Sequence, residues 1–291
     1  MPAWGELVTA LWREVFGARA LPPVARVPLA LPQALELLAR ELGRAAFEKK
    51  LRRALYARLE RTTRAALRTS TSSLASVARA VLRDRAAHSP HIARIITFNV
   101  DDLLEQALAA LAGSALVVKP VVRASHHPRG DGVAVSVYHP HGFLPQHPRA
   151  RWHTHAADAL VFTDAQYWAT VAAPASFANR AMQFALHDSH CVFLGCSMTD
   201  INIVRWLSFH ASEIAADKTA QFSRRPVKSA AATRAATVQA LSRHTWIRIP
   251  SDDPDDFLAA WLTARGVECV TLGDWHGPEL DSLLREAFPG R

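Results

Sequence analysis

Short β-branched runs alternate with amphipathic helical stretches from about residue 94 onward, and this alternation limits the fold more than any other feature of the chain. Parallel strands need a crossover connection, which is usually a helix. The alternation therefore predicts an α/β fold with a parallel sheet and flanking helices. The predicted strands are Ile95 to Phe98, Leu116 to Val118, Val135 to Tyr138, Leu160 to Phe162, Cys191 to Leu194, Trp246 to Ile249 and Val267 to Leu272.

The helical patterns predict how the chain is organised. Helical periodicity dominates ahead of the first strand, from Gln33 to about Arg68 and from Leu74 to Arg85. We predict one domain over residues 1–291, with an N-terminal helical block at 30–90 and an α/β core at 91–291. Pro120 to Pro148, rich in Pro, Gly and His, is predicted to be a loop or hairpin insertion with the strand Val135 to Tyr138 inside it. The other predicted helices are Leu103 to Leu111, Phe177 to Leu186, Ile203 to Ile214, Ala230 to Leu241 and Phe257 to Arg265.

Composition excludes several classes of protein. With 49% hydrophobic and 21% charged residues, the chain is globular rather than disordered. Its apolar stretches, such as Leu29 to Leu42, are interrupted by polar residues and fall short of the roughly 18 uninterrupted apolar residues that a membrane span needs. Residues Met1 to Trp12 lack the pattern of a secretory signal. We therefore expect a cytoplasmic protein that does not bind membranes.

The formal net charge of +8 raises the question of nucleic-acid binding. Basic residues concentrate in Arg40 to Arg85, but glutamates are interspersed along the same segment. A mixed charge pattern of this kind is typical of a solvated helix face. We favour that interpretation and do not expect nucleic acid as a partner.

Polar residues follow the first predicted strand at the point where it ends. Asn99 and Asp101 stand there, and ligands of open α/β sheets bind outside the carboxyl ends of the strands. Both residues are therefore candidates to touch a substrate. Turn chemistry is the alternative, because Asn and Asp are favoured in strand-to-helix turns on conformational grounds alone. Asp102 and Glu105 fit a capping box for the following helix and are predicted to be structural.

Four segments in series carry a family resemblance. They are T-F-N-V-D-D-L-L-E at Thr97 to Glu105, Y-H-P-H-G at Tyr138 to Gly142, D-A-L-V-F-T-D-A-Q-Y at Asp158 to Tyr167, and F-L-G-C-S-M-T-D-I-N at Phe193 to Asn202. In order and rough spacing they resemble the SIR2-like family of bacterial NAD-consuming domains. P-A-W-G-E-L at Pro2 to Leu7 is similar to that family's P-S-W-x-x-L element. The resemblance implies a Rossmann-like parallel sheet.

The resemblance also implies a role for each matched residue. Asn99 and Asp101 would face the nicotinamide and its ribose. His141 matches the family's catalytic histidine. Gly195 and Ser197 match the residues that the family places against the adenosine ribose.

The activity that the resemblance implies is hydrolysis of NAD⁺ to nicotinamide and ADP-ribose. Nicotinamide leaves as a neutral molecule, so the barrier lies in forming an oxocarbenium-like ribose and no general acid is required. Asn99 offers a neutral donor and acceptor, Asp101 can accept from the carboxamide N–H, and His141 can act as general base. The resemblance alone places His141 above the neighbouring His139. NAD⁺ is then the substrate, and no metal is expected.

The family resemblance further implies a defensive role. SIR2-like proteins often act as NAD⁺ hydrolases in bacterial defence against phage. A constitutively active enzyme of this kind would harm its own cell. We therefore expect control by homo-oligomerisation or by a partner protein of a defence system.

One family element is missing from the sequence. Family members begin with a strand and a G-A-G-x-S loop, whose glycines let backbone N–H groups approach the NAD⁺ pyrophosphate. The sequence contains no such loop, and Met1 falls where the next family element should begin. We therefore expect a chain that is shortened at its front and a sheet that lacks a central strand. The alternative function is a catalytically impaired nucleotide-binding or assembly module.

Three other kinds of site compete with this interpretation. Seven histidines between His126 and His155 could ligate a divalent metal, but no carboxylate pair has a ligand-like spacing nearby. Gly195-Cys196-Ser197 lacks the second glycine of a nucleophile elbow, because Thr199 occupies that position. The three cysteines cannot form the two C-x-x-C pairs of a sirtuin zinc ribbon, which argues against deacetylation.

Overall fold

The structure is a computed structural model that describes residues 4–17, 30–57, 64–113, 116–123, 134–147, 160–222, 244–250 and 256–289. In these residues the chain is mixed α/β, as predicted, and every strand pairing is parallel. The elements, in chain order, are α1 (Trp4–Phe16), α2 (Ala30–Leu42), α3 (Arg44–Tyr56), α4 (Arg64–Thr69), α5 (Ser73–Arg85), β1 (Ile95–Ile96), α6 (Leu103–Ala112), β2 (Val117–Val121), β3 (Ala134–Tyr138), α7 (Asp164–Ala172), α8 (Phe177–Asp188), β4 (Val192–Leu194), α9 (Ile201–Phe222), β5 (His244–Arg248), α10 (Phe257–Thr263), β6 (Val267–Thr271) and α11 (Pro278–Ala287).

The chain forms two compact units, each built from two stretches of sequence. Unit 1 comprises residues 1–70 and 94–178, and unit 2 comprises residues 71–93 and 179–291. Helix α5 thus belongs to unit 2, whereas the other helices of the segment 30–90 belong to unit 1. The single domain with a block at 30–90 and a core at 91–291 stays a prediction.

Helices α1, α2 and α3 pack together in unit 1 around one apolar cluster. Leu7 and Leu11 of α1, Leu35 and Leu38 of α2, and Leu51 of α3 are all buried there. Spacings of three or four residues bring such side chains to one helix face. Full burial of each leucine contributes about 1.5–3 kcal/mol, so the cluster is a main source of stability in this unit.

The predicted helical stretch from Gln33 to Arg68 is interrupted. Gly43 has φ +70°, a conformation that glycine adopts readily and other residues do not, and it separates α2 from α3. Residues 58–63 lie outside the described part of the chain.

The sheet of unit 1 has the order β1-β3-β2. Strand β3 is therefore its central strand, and the prediction that it lies inside a loop or hairpin insertion is wrong. Among the described strands, β2 lies at the edge of this sheet, which explains how it tolerates Pro120 and its missing N–H.

The stretch Leu160 to Phe162 is not a strand, contrary to prediction. Val161 donates one hydrogen bond to the carbonyl of His141 (2.9 Å). The N–H groups of Phe162 and Thr163 bind the Gln166 side chain, which belongs to the capping box of α7. Those N–H groups are therefore not available for a ladder of strand pairing.

Unit 2 contains a second parallel sheet, with the order β4-β5-β6. Its apolar cluster includes Ile247 of β5, Ala80 of α5, and Leu280 and Leu284 of α11. Thus α5 packs with elements that follow it by more than 150 residues.

No described helix is long and apolar enough to cross a membrane. The helix predicted at Ala230 to Leu241 lies outside the described residues.

Candidate functional site

Asn99 lies at the carboxyl end of β1, as predicted, and its side chain is exposed. Strand pairing ends two residues before Asn99, where Thr97 donates its N–H to the carbonyl of Tyr138 (2.9 Å). The chain then turns, because the N–H of Asn99 binds Oγ1 of Thr97 (3.2 Å). The turn therefore holds Asn99 at the rim of the sheet, where a ligand can reach it.

His141 lies three residues after the end of β3, the strand beside β1. Its ring contacts Phe98 (5.2 Å between ring centroids) and Tyr167 (5.5 Å). Since Phe98 directly precedes Asn99, these contacts bring His141 beside the loop that carries Asn99. Asn99 meets solvent directly, whereas His141 is only 5% exposed and meets it through a small part of its surface.

Asp101 is buried, with 5% of its surface exposed. Its Oδ1 accepts a hydrogen bond from the N–H of Leu103 (3.1 Å), so the turn chemistry considered as the alternative does apply to this residue. Burial raises the pKa of Asp101, and the Leu103 hydrogen bond opposes that effect. Asp101 therefore holds a proton more readily than an exposed aspartate does.

The capping box predicted for Asp102 and Glu105 is wrong. The Asp102 side chain makes no capping bond. Its Oδ1 instead accepts from the hydroxyl of Tyr56 (2.7 Å), from Nε2 of Gln106 (2.8 Å) and from the backbone N–H of Gln146 (3.2 Å). Oε1 of Glu105 lies 2.6 Å from Nε2 of His139. Both carboxylates are buried, so tertiary partners replace the local ones.

In unit 2, the structure brings Gly195 and Ser197 to one cavity of about 320 Å³. The cavity lies beyond the carboxyl ends of β4 and β5, where open parallel sheets bind ligands. Its lining residues are Gly195, Cys196, Ser197, Trp246, Arg248, Ile249, Leu258 and Trp275.

The loop that follows β4 begins with a backbone conformation that suits glycine. Gly195 has φ +63°, and a Cβ atom added there would meet no protein atom within 4 Å. The backbone carbonyl of Cys196 accepts a hydrogen bond from Nε1 of Trp246 (3.0 Å). Burial of the Cys196 side chain raises the pKa of its thiol to about 11. Oγ of Ser197 accepts from the hydroxyl of Thr199 (3.0 Å). Open space at Gly195 and an exposed hydroxyl at Ser197 leave room for a ligand.

Asp200 ends this loop as a helix cap. Its Oδ1 accepts from the backbone N–H groups of Asn202 (2.8 Å) and Ile203 (3.4 Å) at the start of α9. Asp200 therefore serves to cap α9.

Sequence reasoning missed the aromatic and basic walls of this cavity. Trp246, Arg248 and Trp275 line it. Arg248 forms a paired contact with both carboxylate oxygens of Asp256, which also caps α10. Arg248 is the last residue of β5, so the rule that ligands bind beyond strand ends offered a signal for it.

The histidine-rich segment is only partly described. His139, His141 and His147 are described, whereas His126, His127, His153 and His155 lie outside the described residues. Within the described ranges, no group of three or more His, Cys, Asp or Glu side chains is placed to hold a metal ion.

The comparison with protein families bears on both candidate regions. A family model for the SIR2-like domain matches residues 93–253, which is more than half of the chain. The chain belongs to the SIR2-like domain family. That family includes NAD-dependent enzymes, and its domains use NAD⁺. A search of curated proteins finds no match.

The SIR2-like match covers all the site residues predicted from sequence. Asn99, Asp101 and His141 lie in its unit 1 part, and Gly195 and Ser197 lie in its unit 2 part. Their roles in this SIR2-like chain stay predictions.

Proposed function

We propose that this SIR2-like chain is an NAD⁺ glycohydrolase that releases nicotinamide and ADP-ribose. The observation that carries the proposal is the exposed Asn99 at the carboxyl end of β1, with His141 packed against the preceding Phe98. An amide and an imidazole at a strand end are the groups needed to orient a ribose and to accept a proton from water.

Each residue of unit 1 would have a distinct task. Asn99 would hold a ribose hydroxyl or the attacking water with its neutral donor and acceptor. His141 would take the proton of that water as general base. Asp101 would accept from the carboxamide N–H of nicotinamide with its remaining lone pairs. Because Asp101 is buried, that hydrogen bond would form away from competing water.

In unit 2, we propose that Gly195 and Ser197 contact the adenosine ribose. The absence of a side chain at Gly195 supports this, since the space beside its Cα is open. The hydroxyl of Ser197 lines the same cavity and supplies a polar partner. Trp246 and Trp275 give the cavity the apolar walls that nucleoside sites favour.

The test is NAD⁺ consumption by the purified chain, with nicotinamide and ADP-ribose separated by chromatography. Asn99→Ala and His141→Ala should each lower the rate by about 100-fold or more, the range expected for loss of a positioning or general-base group. His147→Ala is the matched control, because His147 follows in the same segment and is exposed. Equal activity of all four proteins would overturn the proposal.

The alternative is a nucleotide-binding or assembly module without turnover, for which the cavity lined by Gly195 and Ser197 would be sufficient. The same preparation distinguishes the two functions. Calorimetric binding of NAD⁺ without product formation would favour the module, and product formation would favour the enzyme.

We further propose a role in bacterial defence against phage, with activity controlled by self-association or by a partner protein. Cellular NAD⁺ should fall after infection only in cells that express the active chain. Fast, stable turnover by an isolated monomer, measured together with its mass in solution, would contradict control by assembly.

A further inference from the structure

One imidazole ring in unit 1 joins both ends of the segment that carries Asn99. The side chains of His139 and Glu105 are each 0% exposed. Nδ1 of His139 lies 3.0 Å from the backbone carbonyl oxygen of Asn99, and Nε2 lies 2.6 Å from Oε1 of Glu105. Glu105 stands on the first turn of α6. The ring therefore bridges residues 99 and 105.

The bridge is anchored in the sheet. His139 directly follows β3, and its N–H donates to the carbonyl of Val121 at the end of β2 (2.9 Å). Its ring packs edge-on against Phe143, with 4.7 Å between the ring centroids. The ring is thus fixed relative to the strands, and its partners are fixed relative to the ring.

The two contacts determine where protons lie. The Asn99 carbonyl can only accept, so Nδ1 of His139 carries a hydrogen. The short contact between Nε2 and Oε1 of Glu105 needs a second proton on one of those atoms, because two lone pairs do not approach so closely. Whichever atom holds that proton, the pair has no net charge. A buried bridge of this kind is rigid, because water does not compete for its hydrogen bonds.

We propose that His139 and Glu105 are positioning residues that hold the Asn99 side chain in its reactive orientation. The proposal rests on the function proposed for Asn99. The carbonyl of Asn99 is bound to His139 and its N–H to Thr97, so the backbone is fixed on both sides of its Cα. Because both positioning side chains are fully buried, they act through Asn99 and do not contact the substrate themselves.

The main test variant combines Glu105→Met with His139→Phe. It removes both polar partners but keeps similar volumes, and replacing both members of a buried pair with apolar groups is often nearly neutral for stability. Glu105→Gln is the matched control. Its amide can donate to Nε2 of a neutral His139, so the bridge to Asn99 is retained.

The first readout needs no activity. Hydrogen–deuterium exchange of the peptide covering residues 97–103 should be faster in the double variant than in the wild type or in Glu105→Gln. Exchange in α1, α2 and α3 should stay unchanged. Unaltered exchange at residues 97–103 in a folded double variant would overturn the proposal.

The second readout separates positioning from a purely structural role. In the double variant kcat should fall by about 100-fold, because a misplacement of about 1 Å has that effect, while KM should change by less than about threefold. Glu105→Gln should keep kcat within about threefold of the wild type. A double variant with wild-type kcat overturns the proposal.

If the double variant does not fold, Glu105→Met alone is used, because it removes one end of the bridge. Its kcat should fall by about tenfold. An unchanged kcat together with unchanged exchange at residues 97–103 in Glu105→Met would overturn the proposal. If the wild type does not hydrolyse NAD⁺, that result counts against the proposed function, and the exchange experiment alone decides the positioning role.

Discussion

The imidazole of His141 packs against the phenyl ring of Phe98, with 5.2 Å between the ring centroids and 59° between the ring planes. Tyr167 contacts the same imidazole nearly edge-on, at 71°. Two aromatic rings from different elements therefore limit the orientations open to His141. One of them, Phe98, is also the covalent neighbour of Asn99, so the packing of His141 and the position of Asn99 are linked.

Phe98→Ala should lower both stability and turnover. The half-buried ring supports His141, and its loss should reduce the free energy of unfolding by about 2 kcal/mol. NAD⁺ turnover should fall more than NAD⁺ binding, because His141 loses its fixed orientation. Denaturant titration and steady-state kinetics measure the two effects. Phe184→Ala removes an exposed phenyl ring on α8 and is the control, with an expected change within about 0.5 kcal/mol.

Gly195→Ala should weaken nucleotide binding, and Gly17→Ala should not. Both glycines have positive φ (+63° and +69°), and a Cβ added at either meets no protein atom within 4 Å. Each substitution should therefore cost about 1–2 kcal/mol of stability through backbone strain alone. Only Gly195 lines the cavity of unit 2, where the added methyl should weaken NAD⁺ binding by about tenfold, measured by calorimetry. Equal affinities of the two variants would argue against a ligand at Gly195.

Asp101→Asn should stabilise the protein at neutral pH. Burial raises the pKa of Asp101 above its ordinary value of 3.8, so the folded state holds this proton more firmly than the unfolded chain does. Ionisation of Asp101 therefore lowers the free energy of unfolding. This loss grows as the pH rises from 3.8 through the folded pKa, and it is complete above both values. Asparagine carries no charge and can still accept from the N–H of Leu103.

Thermal unfolding between pH 4 and pH 8 tests the Asp101 prediction. The gain in unfolding temperature for Asp101→Asn should be larger at the upper end of this range than at the lower end. Glu286→Gln, at an exposed position on α11, is the control and should show no such trend. A gain that is the same at every pH would contradict the assigned cause.

Tyr56→Phe should destabilise unit 1. The buried hydroxyl of Tyr56 contacts Oδ1 of Asp102 (2.7 Å) and the carbonyl of Leu144 (2.9 Å), and it accepts from the N–H of Asp102 (3.0 Å). Burial, together with the Asp102 carboxylate, raises the pKa of Tyr56 far above its ordinary value. Without the hydroxyl these groups lose a partner, and the free energy of unfolding should fall by about 1–3 kcal/mol.

Denaturant titration measures the Tyr56→Phe effect. Thr9→Val is a suitable control, because it removes an exposed hydroxyl that donates to the carbonyl of Gly5 in its own helix (2.7 Å). Its expected effect is within about 0.5 kcal/mol. If the two variants lose similar amounts of unfolding free energy, the buried hydrogen bonds of Tyr56 contribute no more to stability than an exposed hydroxyl does.

Local patterns predicted much of the architecture. The alternation of apolar runs and helical stretches indicated parallel pairing, because parallel neighbours need a long crossover connection and a helix usually supplies it. The end of the first run indicated that Asn99 stands at a sheet rim, which needs only the sequence around it. The glycine before β6, Gly266, has φ +78°, as expected for a residue that ends a helix and starts a strand.

Contacts between distant residues were not predictable in this way. Asp102 and Glu105 have the spacing of a capping box. Nothing near them in sequence reveals that Tyr56 binds the carboxylate of Asp102 and that His139 binds the carboxylate of Glu105. Those partners lie 46 and 34 residues away. Similarly, His139 and His141 differ by two positions, and only the structure assigns one to a buried bridge and the other to an aromatic contact.

Helix α5 and helix α11 are joined by an ion pair between Arg79 and Asp281 (2.9 Å), and Arg83 also donates to the carbonyls of Leu284 and Phe288. Since α5 interrupts the sequence of unit 1 but packs within unit 2, no single cut of the gene yields either unit whole. A fragment ending at Ala178 would contain α5 without α11, against which it packs. It would aggregate through the uncovered apolar face of α5. Dissection of this protein therefore calls for moving α5 to the C-terminal fragment through a new linker, rather than for truncation.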